Sequence, residues 1–258
     1  MNASDTLPPL PVTAALFLDF DGTLVSIAPR PQDVQVPHWV RPTLQGLEQR
    51  LVGALAIVSG RPIVQLDAFL APLRLVAAGA HGAEWRDSAG QLHGSTTPPP
   101  LRLVVAAKAL VAAHVGLLFE PKPTGFSLHY RARPELAAEC RGLLTRTLAA
   151  EAGDAETWEC LQGQCVVELK PRAFSKGTAV AALLREPAFL GRVPIFIGDD
   201  RTDEDGIEAV QAAGGFGVRV GPGPTNARYR LSDTNAVGHW LAAACGARDE
   251  AALEIHTS

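Results

Sequence analysis

Short apolar runs alternate along this chain with amphipathic segments, and nearly every run stops at a glycine, a serine or an aspartate. Ala15–Asp19, Ala54–Ser59, Leu75–Gly79, Val193–Asp199 and Phe216–Val220 read as strands, and Pro42–Leu51, Pro62–Leu70, Lys176–Leu184, Glu204–Ala213 and Ala236–Cys245 as helices. This is the pattern of a parallel sheet flanked by helices, an α/β fold of the doubly wound, Rossmann-like kind. Ligands of such sheets sit beyond the carboxyl ends of the strands. Asp19 and Asp21 follow the first strand, Ser59-Gly60-Arg61 the second, Gly79-Ala80-His81-Gly82 the third, and Gly198-Asp199-Asp200-Arg201-Thr202-Asp203 the fourth. An ordinary turn with a capping Asp, Ser or Thr explains any one of these ends. Capping does not require so many carboxylates converging on one crevice.

The middle of the chain follows another order. After the stiff Pro98-Pro99-Pro100 come a long helix, a hairpin pairing Leu117–Lys122 with Phe126–Arg131, and a helical repeat from Leu136 to Leu148 that stops before Gly153. A second hairpin turns at Gln162-Gly163 and ends in Cys165–Lys170. The expected organisation is a core at 1–98 and 173–258, interrupted by an inserted α+β cap at 99–172. Alternation across strands puts Glu120, Lys122, Ser127, His129 and Arg131 on one face of the first hairpin, and Phe119, Phe126, Leu128 and Tyr130 on the other. Glu168 and Lys170 share a face opposite Val167 and Leu169. Such a face is either the solvated side of a half-buried antiparallel sheet or a polar lid that suits several hydroxyls of a sugar and, with few aromatics, not the stacking of a base.

Composition narrows the partners. A formal net charge of −4 gives no reason to expect nucleic-acid binding, so an anionic ligand needs local donors. The longest apolar stretch, Leu101–Phe119, is broken by Arg102, Lys108 and His114, which argues against a membrane span. Met1–Pro11 lacks a basic region followed by an apolar one, and the four cysteines lack paired metal-ligand spacing. The expectation is a cytoplasmic monomer; a disulfide between Cys160 and Cys165 is the less favoured reading.

Asp19, Asp21, Asp199, Asp200 and Asp203 crowd one place, and like charges there raise one another's pKa unless a cation intervenes. Oxygen ligands without His or Cys, drawn from distant segments rather than one loop, favour Mg²⁺ over Ca²⁺. Ser59 and nearby N–H groups at a helix start suit a phosphate oxygen, and Lys176 supplies a balancing positive charge.

The ordered set Asp19-Phe20-Asp21-Gly22-Thr23, Ser59, Lys176 and Gly198-Asp199-Asp200-x-x-Asp203 resembles the haloacid-dehalogenase-like phosphohydrolases. That resemblance implies Asp19 as nucleophile, Asp21 as acid and base, and Ser59, Gly60 and Lys176 as phosphate ligands. It also implies Mg²⁺ held by Asp19, the Asp21 carbonyl and Asp199, with Asp200 and Asp203 in support. Val58-Ser59-Gly60-Arg61, Gly79-Ala80-His81-Gly82, Phe119-Glu120-Pro121-Lys122, Val166–Pro171 and Ser175-Lys176-Gly177 narrow the resemblance to the trehalose-6-phosphate phosphatase family. A phosphosugar substrate is then implied, contacted by Glu120, Lys122, Glu168 and Lys170, with Arg61, His81, Gly82 and Arg131 as further contacts. Another phosphosugar, or a non-catalytic phosphosugar-binding module, are the alternatives. Gly206-Ile207 stand where that family's pattern leads one to expect bulkier residues, a departure of helix packing rather than chemistry.

Overall fold

The strand from Ala14 to Leu18 (β1) has no exposed residue, because other strands flank it on both edges and helices cover both faces. The computed structural model describes residues 6–95, 97–150, 152–163 and 165–246; the first five residues of the polar N-terminal segment lie outside them. It divides into two compact units, one running to His93 and resuming at Ser175, the other Gly94–Phe174.

The larger unit follows β1 with α1 (Val40–Arg50), β2 (Leu55–Val58), α2 (Ile63–Leu70) and β3 (Val76–Gly79). A short antiparallel hairpin, β4 (Glu84–Arg86) and β5 (Leu92–Gly94), adds strands at one edge. The smaller unit consists of α3 (Leu101–Ala113), β6 (Leu118–Lys122), β7 (Gly125–His129), α4 (Ala137–Ala149), α5 (Ala152–Thr157), β8 (Trp158–Gly163) and β9 (Val166–Pro171). The larger unit resumes with α6 (Lys176–Leu183), β10 (Val193–Gly198), α7 (Glu204–Ala212), β11 (Phe216–Val220), β12 (Tyr229–Leu231) and α8 (Thr234–Cys245). Its sheet has the order β12-β11-β10-β1-β2-β3-β4-β5, parallel from β12 to β3. The chain winds outward in both directions from the β1–β10 neighbourhood, the doubly wound arrangement read from the sequence. Phe17, Phe20, Phe189 and Phe196 are among the largest side chains sealed in its core.

In the smaller unit an antiparallel sheet of order β6-β7-β9-β8 turns one face to α3 and α4. Phe126, Leu128, Val167, Leu169 and Trp158 pack there with Leu103, Cys140 and Leu144. The helical run ends at Ala149, before Gly153, as expected, and a separate short helix, α5, then includes that glycine. All four cysteines are free thiols: Cys160 stands opposite Leu169 rather than Cys165, and burial pushes its thiol up to about 11. Among the described residues no helix is long and apolar enough to cross a membrane.

Candidate active site

The carboxyl ends of β1 and β10 are neighbours, and from them Asp19 and Asp199 approach each other. With Asp203 they offer carboxylate oxygens that all lie within 4.8 Å of one another. Gly22 makes the approach possible. Its φ of +81° favours glycine, and a Cβ there would run into the Asp199 carboxylate. Asp203 is held by a short turn in which its Oδ2 accepts the Asp200 N–H at 2.8 Å. The Asp200 carboxylate caps the same turn, accepting the Arg201 N–H at 2.7 Å. Asp203, expected in a supporting role, thus stands within the cluster, while Asp200 organises its loop.

Ser175 caps α6 through the Thr178 N–H, and Lys176 enters the cluster from the first turn of that helix. Its ammonium donates to Asp19 Oδ1 at 2.6 Å and to Asp203 Oδ1 at 2.5 Å. Burial opposes its charge, but the two carboxylates outweigh burial and raise its pKa above the usual lysine value. One lysine does not balance three acids. Burial, then the Asp203 charge, push Asp19 well above the ordinary carboxylate range despite Lys176. The same two causes raise Asp199 to about 7. Asp199 Oδ1 is buried and has no hydrogen-bond partner. An all-oxygen donor set with surplus negative charge and an orphaned buried oxygen fits a hard divalent cation such as Mg²⁺.

Asp21 lies apart from this trio in its bonding, because both its oxygens are taken by Arg61. Ser59, buried at the end of β2, accepts the Arg61 main-chain N–H at 3.2 Å and offers its carbonyl to the His81 N–H at 3.0 Å. The loops after β2 and β3 are therefore laced together. The His81 ring fills the space beside Gly60, where a Cβ would meet Nε2 at 2.6 Å. Gly82 lies against α6, 2.9 Å from the Ser175 carbonyl to an added Cβ. Glu84, which the sequence did not single out, receives the Ile63 N–H at the start of α2 at 2.5 Å.

On the second unit, register puts Glu120, Ser127, Glu168, Lys170 and Glu159 on the sheet face opposite its apolar core. Glu120 pairs with His129 at 2.7 Å. Glu168 takes hydrogen bonds from Lys122 and Ser127. Lys170 pairs with Glu159 at 2.7 Å and also donates to the carbonyls of Pro171 and Phe174. Glu159 was missed because its strand carries too few polar residues to reveal which face it serves. Arg131 follows β7 and is half-buried.

The trehalose-phosphatase family model matches residues 17–235. A trehalose-6-phosphate phosphatase of Escherichia coli is 41% identical over 239 residues, covering 91% of this chain and 87% of that protein. A probable trehalose-phosphate phosphatase of Sinorhizobium fredii is 40% identical over 209 residues, covering 81% and 78%. In fold, the C-terminal domain of trehalose-6-phosphate phosphatase from C. albicans superposes with a TM-score of 0.80 at 19% identity, over 95% of this chain and 99% of that one. A haloacid-dehalogenase-like hydrolase from B. subtilis does so at 0.60 and 18%, over 88% and 98%. With the family match spanning β1 to α8 and two relatives at this identity, the chain belongs to the trehalose-phosphatase family.

Proposed function

We propose that this chain hydrolyses trehalose 6-phosphate to trehalose and phosphate through an aspartyl-phosphate intermediate. The observation that carries the reading is Asp19, fixed at the end of β1 by Lys176 and grouped with Asp199 and Asp203, in a chain of this family. In this reading an Asp19 oxygen attacks the phosphorus, and Asp21 gives its proton to the departing sugar oxygen as the P–O bond breaks. Asp21 then takes a proton from the water that cleaves the aspartyl-phosphate. The Ser59 hydroxyl, the Gly60 N–H and Lys176 hold phosphoryl oxygens. Asp19, the Asp21 main-chain carbonyl and Asp199 are the groups that would hold Mg²⁺, supported by Asp203 within the same cluster and by Asp200, which organises its loop. When bound, the ion neutralises phosphoryl charge and restores Asp19 to its ionised form.

Segment 99–172 is taken as the cap, and Glu120, Lys122, Glu168 and Lys170 as its grip on the sugar hydroxyls. His81, Gly82 and Arg131 are further candidate contacts, whereas the Arg61 guanidinium is committed to Asp21 rather than to the sugar. Free thiols throughout suit a reducing, cytoplasmic setting.

Phosphate release from trehalose 6-phosphate, sucrose phosphate, a glucosylglycerol-type phosphate and glucose 6-phosphate at equal concentration tests the reading. The expected kcat/KM for trehalose 6-phosphate exceeds that for glucose 6-phosphate by about 10²-fold or more, since unpaired polar groups would face the missing ring. Comparable rates overturn the substrate assignment. Release from none supports a phosphosugar-binding module instead.

A further inference from the structure

Arg61 stands among the residues expected to touch substrate, yet its guanidinium is engaged almost completely by the protein. Nε donates to Asp21 Oδ2 at 2.5 Å and Nη2 to Asp21 Oδ1 at 2.8 Å, a two-pronged pair. Nη1 donates to the Pro31 carbonyl at 3.0 Å and to Gln65 Oε1 at 3.2 Å. Four of the roughly five N–H donors of the group are thereby spent within the larger unit. The cation lies 5.0 Å from the centre of the Phe69 ring and 5.9 Å from that of Phe20. Its main chain is pinned as well, the N–H by Ser59 Oγ and the carbonyl by the Ala80 N–H. The Arg61 side chain is 10% exposed and that of Asp21 32%. A fixed cation thus grips a more open carboxylate.

We propose that Arg61 is the positioning residue for Asp21, setting the plane and reach of the carboxyl that moves protons in the phosphatase reaction. This rests on the phosphatase reading given above. A carboxyl turns freely about its Cβ–Cγ bond, and proton transfer needs it within hydrogen-bond reach of the departing oxygen. Two parallel N–H···O bonds remove that freedom; a lysine, with a point charge, restores attraction without fixing the plane. Pro31, Gln65, Phe20 and Phe69 then serve to hold the holder. The proton passes from Asp21 to the sugar oxygen as the P–O bond breaks, and Arg61 neither gains nor loses one.

The test compares an alkyl leaving group, which needs that proton, with p-nitrophenolate, which leaves without it. Arg61→Met and Arg61→Lys are expected to lower kcat on trehalose 6-phosphate by about 10²-fold, with KM changed by less than about threefold. On p-nitrophenyl phosphate the first turnover should stay within about threefold of wild type, followed by a slow steady rate. The resulting burst arises because Asp21 also activates the water of the second step. In an Asp21→Asn background, Arg61→Met should add no further loss. The proposal is overturned if Arg61→Lys regains the wild-type kcat, if the loss appears in KM alone, or if the first turnover falls equally on both substrates. Should Arg61→Met fail to fold, Arg61→Lys, which keeps the buried charge, decides the matter. Wild-type protein inactive on both substrates would sink the phosphatase reading itself rather than the role of Arg61.

Discussion

In the larger unit Lys176 serves both Asp19 and Asp203, with Asp199 beside them, whereas on the polar face of the smaller sheet Glu120 meets His129, Glu168 meets Lys122, and Glu159 meets both Lys170 and Arg172. Both regions are rich in carboxylates, the first almost wholly buried and the second buried at Ser127, Glu168 and Lys170 but partly open at Glu120, His129 and Glu159. The difference is balance. The first constellation is left short of positive charge, and Asp19 and Asp199 are pushed toward their protonated forms. The second sets at least one base against each of these acids, which under the proposed function would let the face stay folded before it meets sugar hydroxyls. In the proposed function these regions serve a cation with a phosphoryl group and a sugar respectively, and the difference in charge compensation supports that division.

The sharpest way to break this comparison is to remove one charge from each side. Asp199→Asn should lower kcat/KM by about 10³-fold, since metal-mediated charge stabilisation amounts to several kcal/mol. In metal-free protein near pH 8 the same change should raise the melting temperature by several degrees. The sign follows from the raised pKa: folded Asp199 holds its proton to about 7, whereas the unfolded chain releases it near 3.8. The native state thus binds more protons across that window, and stability falls as pH rises through it, by on the order of 4 kcal/mol in all. Added Mg²⁺ should accordingly raise the wild-type melting temperature more near pH 8 than near pH 5. A metal-free Asp199→Asn protein that melts below wild type near pH 8 contradicts the uncompensated-cluster account.

The matching change in the other unit has the opposite expected sign. Glu168→Gln removes the carboxylate charge that faces the Lys122 ammonium, both side chains being about nine-tenths buried, so it should destabilise by about 2–4 kcal/mol. It should also raise KM for trehalose 6-phosphate by about tenfold while sparing kcat on p-nitrophenyl phosphate. Thermal melts near pH 8 and the two kinetic parameters check both parts. If Glu168→Gln stabilises as Asp199→Asn is expected to, the two regions are not different in kind.

Much of this contrast could be read before any coordinates. β1 is wholly buried and β10 nearly so, and both read as apolar runs, which makes Asp19 and Asp199 at their ends conspicuous. The polar sheet face followed from two-residue alternation, and Ser127 and His129 fell on it for the same reason. What was hidden has a common physical cause. β4, β5 and β12 have three residues each, too few to show a period. The Arg61–Asp21 pair joins positions forty apart in the chain, and its supports Pro31 and Gln65 carry no local signal of their own. Pairing across strand ends is decided by tertiary packing, which alternation and motif spacing do not record.

The smallest effect gives the control that both charge experiments need. Gly206, on α7 just after Asp203, replaces the bulkier residue suggested by the family's pattern, and the structure supplies the reason. A Cβ at Gly206 would meet the Phe196 ring at 2.5–2.9 Å, so the large side chain here comes from β10 instead of the helix. Gly206→Ala should gain about 1 kcal/mol of helix propensity and lose about 1–3 kcal/mol to overpacking. The expected net loss is about 1 kcal/mol, recovered in part when Phe196→Leu makes room. Because no charge changes, the loss should be the same near pH 5 and pH 8, with or without Mg²⁺. A melting shift that instead follows pH as Asp199→Asn does would mean that α7 packing, rather than the carboxylates, sets the pH dependence of this unit.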